Sequence, residues 1–337
     1  MIIDDAVKII ASGEDLTAQH MAGAMEEIMG GKAVTSQIVS FLAGLSAKGE
    51  TVEELTAAVS VMRQHVVRIH TDKPVVLDTC GTGGDVKGTF NISTAASFVA
   101  AGAGITVAKH GNRSISSSCG SADILEALGI NINMSPKRLE ECLDKVGIAF
   151  LFAPNLHPAM RFAMPARKEI GKRTMFNILG PLTNPAQAQH QLIGVYDQRW
   201  TEILAQVLLN LGTNHALIVH GEDGMDEITT TGATFIAETD KEKVKTYKIT
   251  PEDFSLQRAS LDELKGGTAN DNAKILLDIL NGFDGRRRDI VILNAAAAIY
   301  AADGITLIKD AIAVARESLD SKMALKKFNQ LKEFSNQ

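Results

Sequence analysis

The sequence contains few of the residues that mark extracellular, zinc-binding or membrane-spanning proteins. Only 3 of its 337 residues are cysteines, and aromatic residues make up 5%. Cys80, Cys119 and Cys142 include no CxxC pair and are odd in number, which argues against a disulfide framework and a thiolate zinc site. The 8 histidines form no HxxxH pair, so a histidine zinc site is not expected either. No apolar run approaches the roughly 20 residues that span a bilayer.

Targeting signals and excess positive charge are also missing. The amino terminus, MIIDDAVKII, places two aspartates before a broken apolar run, which suits neither a signal peptide nor a transit peptide. The formal net charge of −6 argues against a general surface for nucleic acid or anionic membranes. We therefore expect a cytoplasmic protein that keeps its thiols reduced and binds neither nucleic acid nor membrane.

The first part of the chain has the pattern of helices alone. Thr17, Ser36 and Thr51 are suitable capping residues for three successive helices, and Thr51 is followed by a glutamate at capping-box spacing. The last of these helices is expected to run to about Ile69. Residues 1–72 are thus predicted to form a small all-helical domain, onto which roughly residues 160–187 pack back.

Short apolar strands alternate with helices from residue 73 onward. This alternation predicts a larger α/β domain, residues 73–337, with a central, largely parallel sheet flanked by helices. The predicted strands are VVLD (75–78), ITVA (105–108), IAFLF (148–152), QLIGV (191–195) and HALIVH (215–220). Ser135 as cap, Pro136 at the first position and Gly147 after the end predict a helix over 136–146, and the tail from about Ile308 is expected to be one closing amphipathic helix.

A glycine-rich loop follows the first predicted strand. The segment TCGTGGDVKGTFNIST, residues 79–94, contains 4 glycines and leads into a predicted helix. Glycines allow backbone N–H groups to approach an anion, and the helix start adds free N–H donors, so the loop is expected to bind phosphate. It is neither a Walker loop, since no Gly-Lys-Ser/Thr follows, nor a dinucleotide fingerprint, since Val86 replaces the last glycine.

A second segment of the same kind, KHGNRSISSSCGSAD, spans residues 109–123. No acidic residue lies between Asp85 and Asp123, whereas Lys87, Lys109 and Arg113 do. We interpret this stretch as a cationic region for a ligand with two phosphate groups. The alternative is that these side chains are solvated loop charges.

Two further segments carry candidate site residues. Asp226 and Glu227 follow the last predicted strand and offer the oxygen ligands that Mg²⁺ shares with phosphates, although an acidic turn can also be mere surface. The proline-broken basic segment, residues 157–186, could present one guanidinium to a carboxylate.

Taken together, these motifs resemble the anthranilate phosphoribosyltransferase family, within the nucleoside phosphorylase and phosphoribosyltransferase-like group. The resemblance covers nearly the whole chain and rests on motifs in the family's order: GTGGD (81–85), TFNIST (89–94), KHGNR (109–113), GSAD (120–123), HPAMRFAMPAR (157–167), FNILGPLTNPA (176–186) and GMDE (224–227).

The resemblance implies transfer of a 5-phosphoribosyl group from phosphoribosyl pyrophosphate (PRPP) to the anthranilate amine, in tryptophan biosynthesis. It also implies Mg²⁺, with two ions expected beside PRPP, and a homodimer formed through the helical domain. Anthranilate would contact Gly81, Asn112 and Arg167, and the metal would contact Ser93, Asp226 and Glu227. PRPP would be surrounded by Gly81, Gly84, Asp85, Thr89, Asn91, Ile92, Ser93, Thr94, Lys109, His110, Gly111, Asn112, Arg113, Ser114, Ser116, Ser117 and Ser121.

Two other functions are compatible with such an architecture. A pyrimidine nucleoside phosphorylase would share the helical and α/β parts and a related phosphate loop, but would lack the combination of KHGNR and HPAM…R. A non-catalytic nucleic-acid-binding relative would not require Asp226 and Glu227, and the negative net charge opposes it.

Overall fold

The computed structural model of the chain describes residues 1–85, 87–113 and 119–337. It opens with four helices, α1 (Ile2–Ala11), α2 (Ala18–Met29), α3 (Thr35–Lys48) and α4 (Val52–Gln64). Thr17 caps α2, and Thr51 with Glu54 forms the expected capping box of α4. The predicted cap at Ser36 is wrong, because α3 begins at Thr35 and Val34 occupies the cap position.

Helix α4 ends earlier than its apolar stripe predicts. The amides of Val67 and Ile69 donate to the carbonyls of Leu156 and Pro185, at 2.9 and 3.1 Å, instead of to the preceding turn. Long-range backbone bonds therefore replace the last turn of the expected helix.

Seven strands form one sheet in the order β3-β2-β1-β4-β5-β6-β7. They are β1 (Val76–Gly81), β2 (Thr106–Gly111), β3 (Ile148–Phe152), β4 (His190–Gly194), β5 (His215–Gly221), β6 (Thr234–Thr239) and β7 (Val244–Ile249). The first five run parallel, and β6 and β7 add to one edge in antiparallel pairing. The predicted largely parallel sheet is confirmed, and the antiparallel edge is a feature that the sequence reading missed.

Helices cover both faces of this sheet. The helices that follow β1 are α5 (Ile92–Gly102), α6 (Ser121–Ala127), α7 (Pro136–Lys145), α8 (Ala153–Leu156), α9 (Met164–Ile170), α10 (Phe176–Leu179), α11 (Arg199–Asn210), α12 (Ala269–Leu280), α13 (Arg286–Ala301), α14 (Ile308–Asp320) and α15 (Met323–Ser335). Ser135 caps α7 and Pro136 occupies its first turn, as predicted. The single amphipathic helix expected after Ile308 is two helices, α14 and α15.

Alternate side chains of each central strand enter two different cores. Leu217 of β5 packs into the core that contains α5 and α13, whereas Ile218 packs into the core shared by α11 and α1–α4. Ala163 and Phe176, from the proline-broken segment, also belong to the second core. The chain is thus a small helical domain joined to a larger α/β domain, while the boundary at residue 72 stays a prediction.

Among the described residues, no helix is both long and apolar enough to cross a bilayer.

A buried ionic cluster lies at the amino-terminal edge of the sheet, where β4 and β5 begin. The His215 ring is within 2.6 Å of an Asp303 oxygen and 2.9 Å of a Glu238 oxygen. Tyr247 and Tyr300 donate their hydroxyls to Glu238 at 2.8 and 2.7 Å. Burial lowers the pKa of His215, but hydrogen bonds to Glu238 and Asp303 outweigh it and leave that pKa raised.

Replacing His215 by Gln should remove a pH-dependent part of the stability. Because the folded-state pKa of His215 lies above its unfolded value, its contribution is complete below about pH 6.5 and is lost as pH rises through the folded pKa. We expect His215→Gln to lower the free energy of unfolding by about 1–3 kcal/mol at pH 6 and by less at pH 9. Denaturant melts of both proteins at the two pH values measure this, and an equal loss at both would contradict it.

Candidate active site

The glycine loop after β1 adopts the backbone that its glycines allow. Gly83, Gly84 and Gly88 have φ angles of 64°, 82° and 68°, in the left-handed region that other residues seldom adopt. Asn91 ends the loop and caps α5 by accepting from the amide of Thr94 at 3.2 Å. The amino terminus of α5 therefore opens beside the loop, at the carboxyl edge of the parallel sheet, where ligands bind in open α/β folds.

The segment after β5, residues 222–229, which we call the acidic loop, meets the glycine loop at this edge. Asp226 Oδ2 accepts from the amide of Gly83 at 2.8 Å, and Glu227 Oε1 accepts from the amide of Ser93 at 3.1 Å. Both carboxylates are thus held by backbone donors of the predicted phosphate site. The structure brings together the two segments that the sequence analysis assigned to phosphate and to metal.

A close backbone contact fixes the acidic loop against β4. A Cβ atom added to Gly194 would lie 1.6 Å from the carbonyl oxygen of Asp226, a distance that no side chain can occupy. Gly194 is therefore required by packing, because the acidic loop crosses directly over its Cα.

The negative charges of Asp226 and Glu227 are poorly compensated. Burial, followed by the charge of Asp85, raises the pKa of Asp226 to about 7. Burial, followed by the charge of Asp226, raises the pKa of Glu227 to about 8. Three acids thus crowd one cleft, and a divalent cation would offset their repulsion.

The donor set of the acidic loop suits Mg²⁺ better than zinc. Within the part of the chain that the structure describes, no three His, Cys, Asp or Glu side chains form a metal cage. Mg²⁺ commonly takes one or two carboxylates and completes its shell with water and substrate phosphates. Asp226 and Glu227 therefore fit this coordination, and the backbone amide of Ser93 already contacts Glu227.

Lys109 lies under the glycine loop, not on the surface. Its side chain is 3% exposed, and its ammonium donates to the carbonyl of Thr79 and, at 3.2 Å, to the hydroxyl of Ser93. Burial lowers the pKa of Lys109, although the charges of Asp78 and Glu227 oppose that shift. The lysine thus places positive charge directly behind the site.

Strands β1 and β2 separate at the site and are bridged by side chains. Their register has only two pairs, Val76 with Thr106 and Leu77 with Val107. Beyond these pairs, the buried carboxylate of Asp78 accepts from the amide of His110 at 3.0 Å and from the Asn184 amide group at 2.8 Å. Burial raises the pKa of Asp78 to about 6. These bonds replace the missing part of the ladder.

The expected cationic region is only partly formed. Arg113 pairs with Asp123 at 2.9 Å and binds Glu126 through two nitrogens at 2.5 and 2.8 Å. The absence of acidic residues between Asp85 and Asp123 did not predict this pairing. Asp123 and Glu126 lie on α6, which folds back towards the loop that holds Arg113. Ser121, at the start of α6, donates its hydroxyl to the carbonyl of Asn112 at 3.3 Å.

Two of the predicted PRPP residues, Ile92 and Thr94, have buried side chains. Ile92 is 1% exposed and Thr94 is fully buried, so backbone atoms are what these two positions can offer. Thr89 pairs with Lys265 in an isolated antiparallel bridge. Ser114, Ser116 and Ser117 lie outside the described residues.

Burial lowers the pKa of Arg167, which is predicted to contact anthranilate, and the pKa values of a histidine pair. Arg167 lies 5.7 Å from the Phe176 ring centroid, burial lowers its pKa, and no described acidic residue pairs with it. His157 and His110 approach through their Nε2 atoms at 3.1 Å, and burial lowers both pKa values, that of His157 to about 4. The pair is therefore neutral at pH 7.

Sequence reasoning missed the residues that hold these loops in place. Arg173 donates to the carbonyl of Gly84 and stacks on Tyr196 with its guanidinium 3.9 Å from the ring centroid. Asp78 and Asn184 bridge the separated strands, and Asn294 bonds to the acidic loop. Only Asn294 carried a readable signal, as the one polar residue in the apolar run IVILNAAAAI of α13.

Comparison with known proteins identifies the family. Residues 73–325 match the model of the glycosyl transferase family, a/b domain, and residues 4–66 match its helical bundle domain. The chain is 51% identical to an anthranilate phosphoribosyltransferase of Symbiobacterium thermophilum over 97% of this chain and 96% of the relative. It is 52% identical to one of Methanocorpusculum labreanum over 98% and 97%.

The chain belongs to the anthranilate phosphoribosyltransferase family. The enzyme of that name from Thermus thermophilus superposes with a TM-score of 0.94 at 41% identity, covering 99% of this chain and 100% of that one. The Saccharomyces cerevisiae enzyme, solved in complex with PRPP and Mg, superposes with a TM-score of 0.90 at 26% identity, covering 99% and 98%. The family resemblance read from the motifs is confirmed.

Adding one methyl group at Gly194 should displace the acidic loop. Because its Cβ would overlap the Asp226 carbonyl, we expect Gly194→Ala to lower the free energy of unfolding by about 2–3 kcal/mol. Gly304→Ala is the matched control, since nothing lies within 4 Å of that Cβ. Chemical denaturation compares the two, and equal stability of both variants would show that the contact is not rigid.

Proposed function

We propose that this protein transfers the 5-phosphoribosyl group of PRPP to the amine of anthranilate, releasing N-(5-phosphoribosyl)anthranilate and pyrophosphate in tryptophan biosynthesis. The observation that carries the proposal is the meeting of the glycine loop and the acidic loop, through Gly83 with Asp226 and Ser93 with Glu227. Membership of the family supports the proposal, and so does similarity over 97% and 98% of the chain to two anthranilate phosphoribosyltransferases.

PRPP occupies the carboxyl edge of the sheet in this proposal. Backbone amides of the glycine loop and the start of α5 face its phosphates, and Lys109 supplies charge from behind. The proposed residues are Gly81, Gly84, Asp85, Thr89, Asn91, Ile92, Ser93, Thr94, Lys109, His110, Gly111, Asn112, Arg113, Ser114, Ser116, Ser117 and Ser121.

Ser93, Asp226 and Glu227 are the proposed Mg²⁺ ligands, with two ions expected per PRPP. When bound, the metal offsets the negative charge that develops on the departing pyrophosphate. The chain's own part is to fix two adjacent carboxylates by backbone donors and to keep Lys109 close. The solved complex of the yeast relative with PRPP and Mg supports the choice of metal.

In this proposal anthranilate lies beside Gly81, Asn112 and Arg167. The Arg167 guanidinium, which pairs with no described acidic residue, suits the acid group of this acceptor. A relative solved with 4-fluoroanthranilate supports an anthranilate-type acceptor.

The reaction requires positioning more than proton transfer. The ribose bond to pyrophosphate breaks as the aryl amine, neutral at pH 7, approaches, so no strong base is needed. Burial raises the pKa of Cys80 well above its usual value and that of Cys119 to about 11, so neither thiol is suited to nucleophilic attack.

We further propose a cytoplasmic homodimer that pairs through the helical domain, residues 1–72 with residues 160–187. Met1, Ile2 and Val34 of that domain remain 52%, 44% and 59% exposed, which is the apolar surface that a dimer would cover. Sedimentation of the purified chain tests the pairing.

The activity is tested by mixing the protein with PRPP, anthranilate and Mg²⁺ and following the loss of anthranilate fluorescence. The proposal requires turnover that depends on all three additions. Phosphorolysis of uridine or thymidine with no anthranilate turnover would instead identify a pyrimidine nucleoside phosphorylase.

Neutralising Asp226 or Glu227 should slow the reaction strongly. We expect Asp226→Asn and Glu227→Gln to raise the barrier for PRPP turnover by about 2–4 kcal/mol, because each loses an anionic metal ligand. Glu222→Gln is the matched control, since it removes an exposed charge from the same loop. Initial rates at limiting Mg²⁺ decide the matter, and rates near wild type in both active-site variants would refute the assignment.

Shortening Arg167 should weaken anthranilate binding selectively. Arg167→Ala is expected to cost about 1.5–3 kcal/mol in acceptor binding and to leave PRPP affinity nearly unchanged. Arg167→Lys should recover part of the loss, because an ammonium keeps the charge but not the planar fork.

The neighbouring exposed Lys168 provides the control variant, Lys168→Ala. Separate titrations with anthranilate and with PRPP measure both affinities. An unchanged anthranilate constant in Arg167→Ala would remove this residue from the site.

A further inference from the structure

The acidic loop is tied to the interior of the protein by one side chain. Asn294 lies in the middle of α13, fully buried in the apolar run of residues 290–299. Its Oδ1 accepts from the amide of Ile228 at 2.9 Å, and its Nδ2 donates to the Ile228 carbonyl at 2.8 Å. One amide group thus satisfies both backbone polar groups of the residue next to Glu227.

The hydrogen-bonding capacity of Asn294 is nearly all used. The second Nδ2 hydrogen is donated to the carbonyl of Ile290, 2.9 Å away and one turn earlier in α13. This bond anchors the amide group to its own helix and fixes its orientation. The flat side chain therefore acts as a rigid bridge between α13 and Ile228.

The bridge from Asn294 to Ile228 lies next to Asp226 and Glu227, and Gly194 contacts the same segment at Asp226. Ile228 has its side chain fully buried, and it directly follows Glu227 in the chain. On the opposite side, the Asp226 carbonyl rests against Gly194. The backbone of Asp226 and Glu227 is consequently fixed at both ends, while their carboxylates point to Gly83 and Ser93.

We propose that Asn294 is a positioning residue of the metal site: it holds the acidic loop so that Asp226 and Glu227 present their carboxylates together to a divalent cation. This inference rests on the proposed function, in which that cation is Mg²⁺. A core asparagine with only a structural role would affect the stability of the whole chain and leave cation affinity unchanged. Outer partners that orient ligands commonly change metal affinity 10–100-fold when removed, as an order of magnitude.

The test compares Asn294→Leu, close in shape but unable to bond Ile228, with Leu293→Ala, a truncation of the fully buried neighbouring residue on the same helix. Mn²⁺ serves as the probe, because it takes the same oxygen ligands and its free form is counted by electron paramagnetic resonance. Each protein is titrated with Mn²⁺ in the presence of PRPP, and its thermal midpoint is recorded. Asn294→Ala, which leaves room for water, replaces the leucine variant if that variant does not fold.

We expect Asn294→Leu to weaken Mn²⁺ binding by about 10-fold or more and Leu293→Ala to change it less than about 2-fold. Exchange of the Ile228 amide hydrogen should accelerate in the Asn294 variants beyond the change in global stability. Unchanged Mn²⁺ affinity in Asn294→Leu, or an equal loss in Leu293→Ala, would overturn the inference. A wild-type protein that binds PRPP but no Mn²⁺ would overturn the proposed metal site together with it.

Discussion

The rest of the site depends on the confinement of two adjacent carboxylates, Asp226 and Glu227, in a cleft where their charges repel. Burial raises both pKa values, and the charge of Asp85 adds to the shift of Asp226 as the charge of Asp226 adds to that of Glu227, so holding both residues ionised here needs a restraint. Backbone amides of Gly83 and Ser93 provide that restraint, and both amides belong to segments placed by the central strand β1. A cation bound here would relieve the repulsion, which is why the same geometry that costs stability favours a divalent ion.

The basic side chains assigned to this site differ in their partners. Lys109 is held behind the glycine loop by Thr79 and Ser93, whereas Arg113 is engaged by carboxylates of α6. Arg167 pairs with no described acidic residue, so its guanidinium is available to a carboxylate. Under the proposed function, this division would direct phosphate to the glycine loop and the acceptor's acid group to the proline-broken segment.

The sequence predicted those elements of the fold that depend on interactions between residues close together in the chain. Ser135 and Pro136 identified the start of α7, because capping and a fixed φ act within one turn. The parallel strands and the glycine loop were also evident, and motif order indicated the family. Partnerships between distant segments were not evident: the pairing of Arg113 with Glu126 depends on how α6 folds back, and the β1 to β2 bridge through Asp78 depends on register. Such contacts are set by tertiary packing, which hydrophobic periodicity and helix-capping residues do not predict.

The central claim is that the glycine loop and the acidic loop form one site for PRPP and a divalent cation. The most direct measurement is a crystal structure of the protein grown with PRPP and Mn²⁺, with data collected at the manganese absorption edge. The account predicts an anomalous peak in contact with the carboxylates of Asp226 and Glu227, with the pyrophosphate against the amides of the glycine loop. A peak elsewhere, or PRPP bound away from this edge of the sheet, would contradict it.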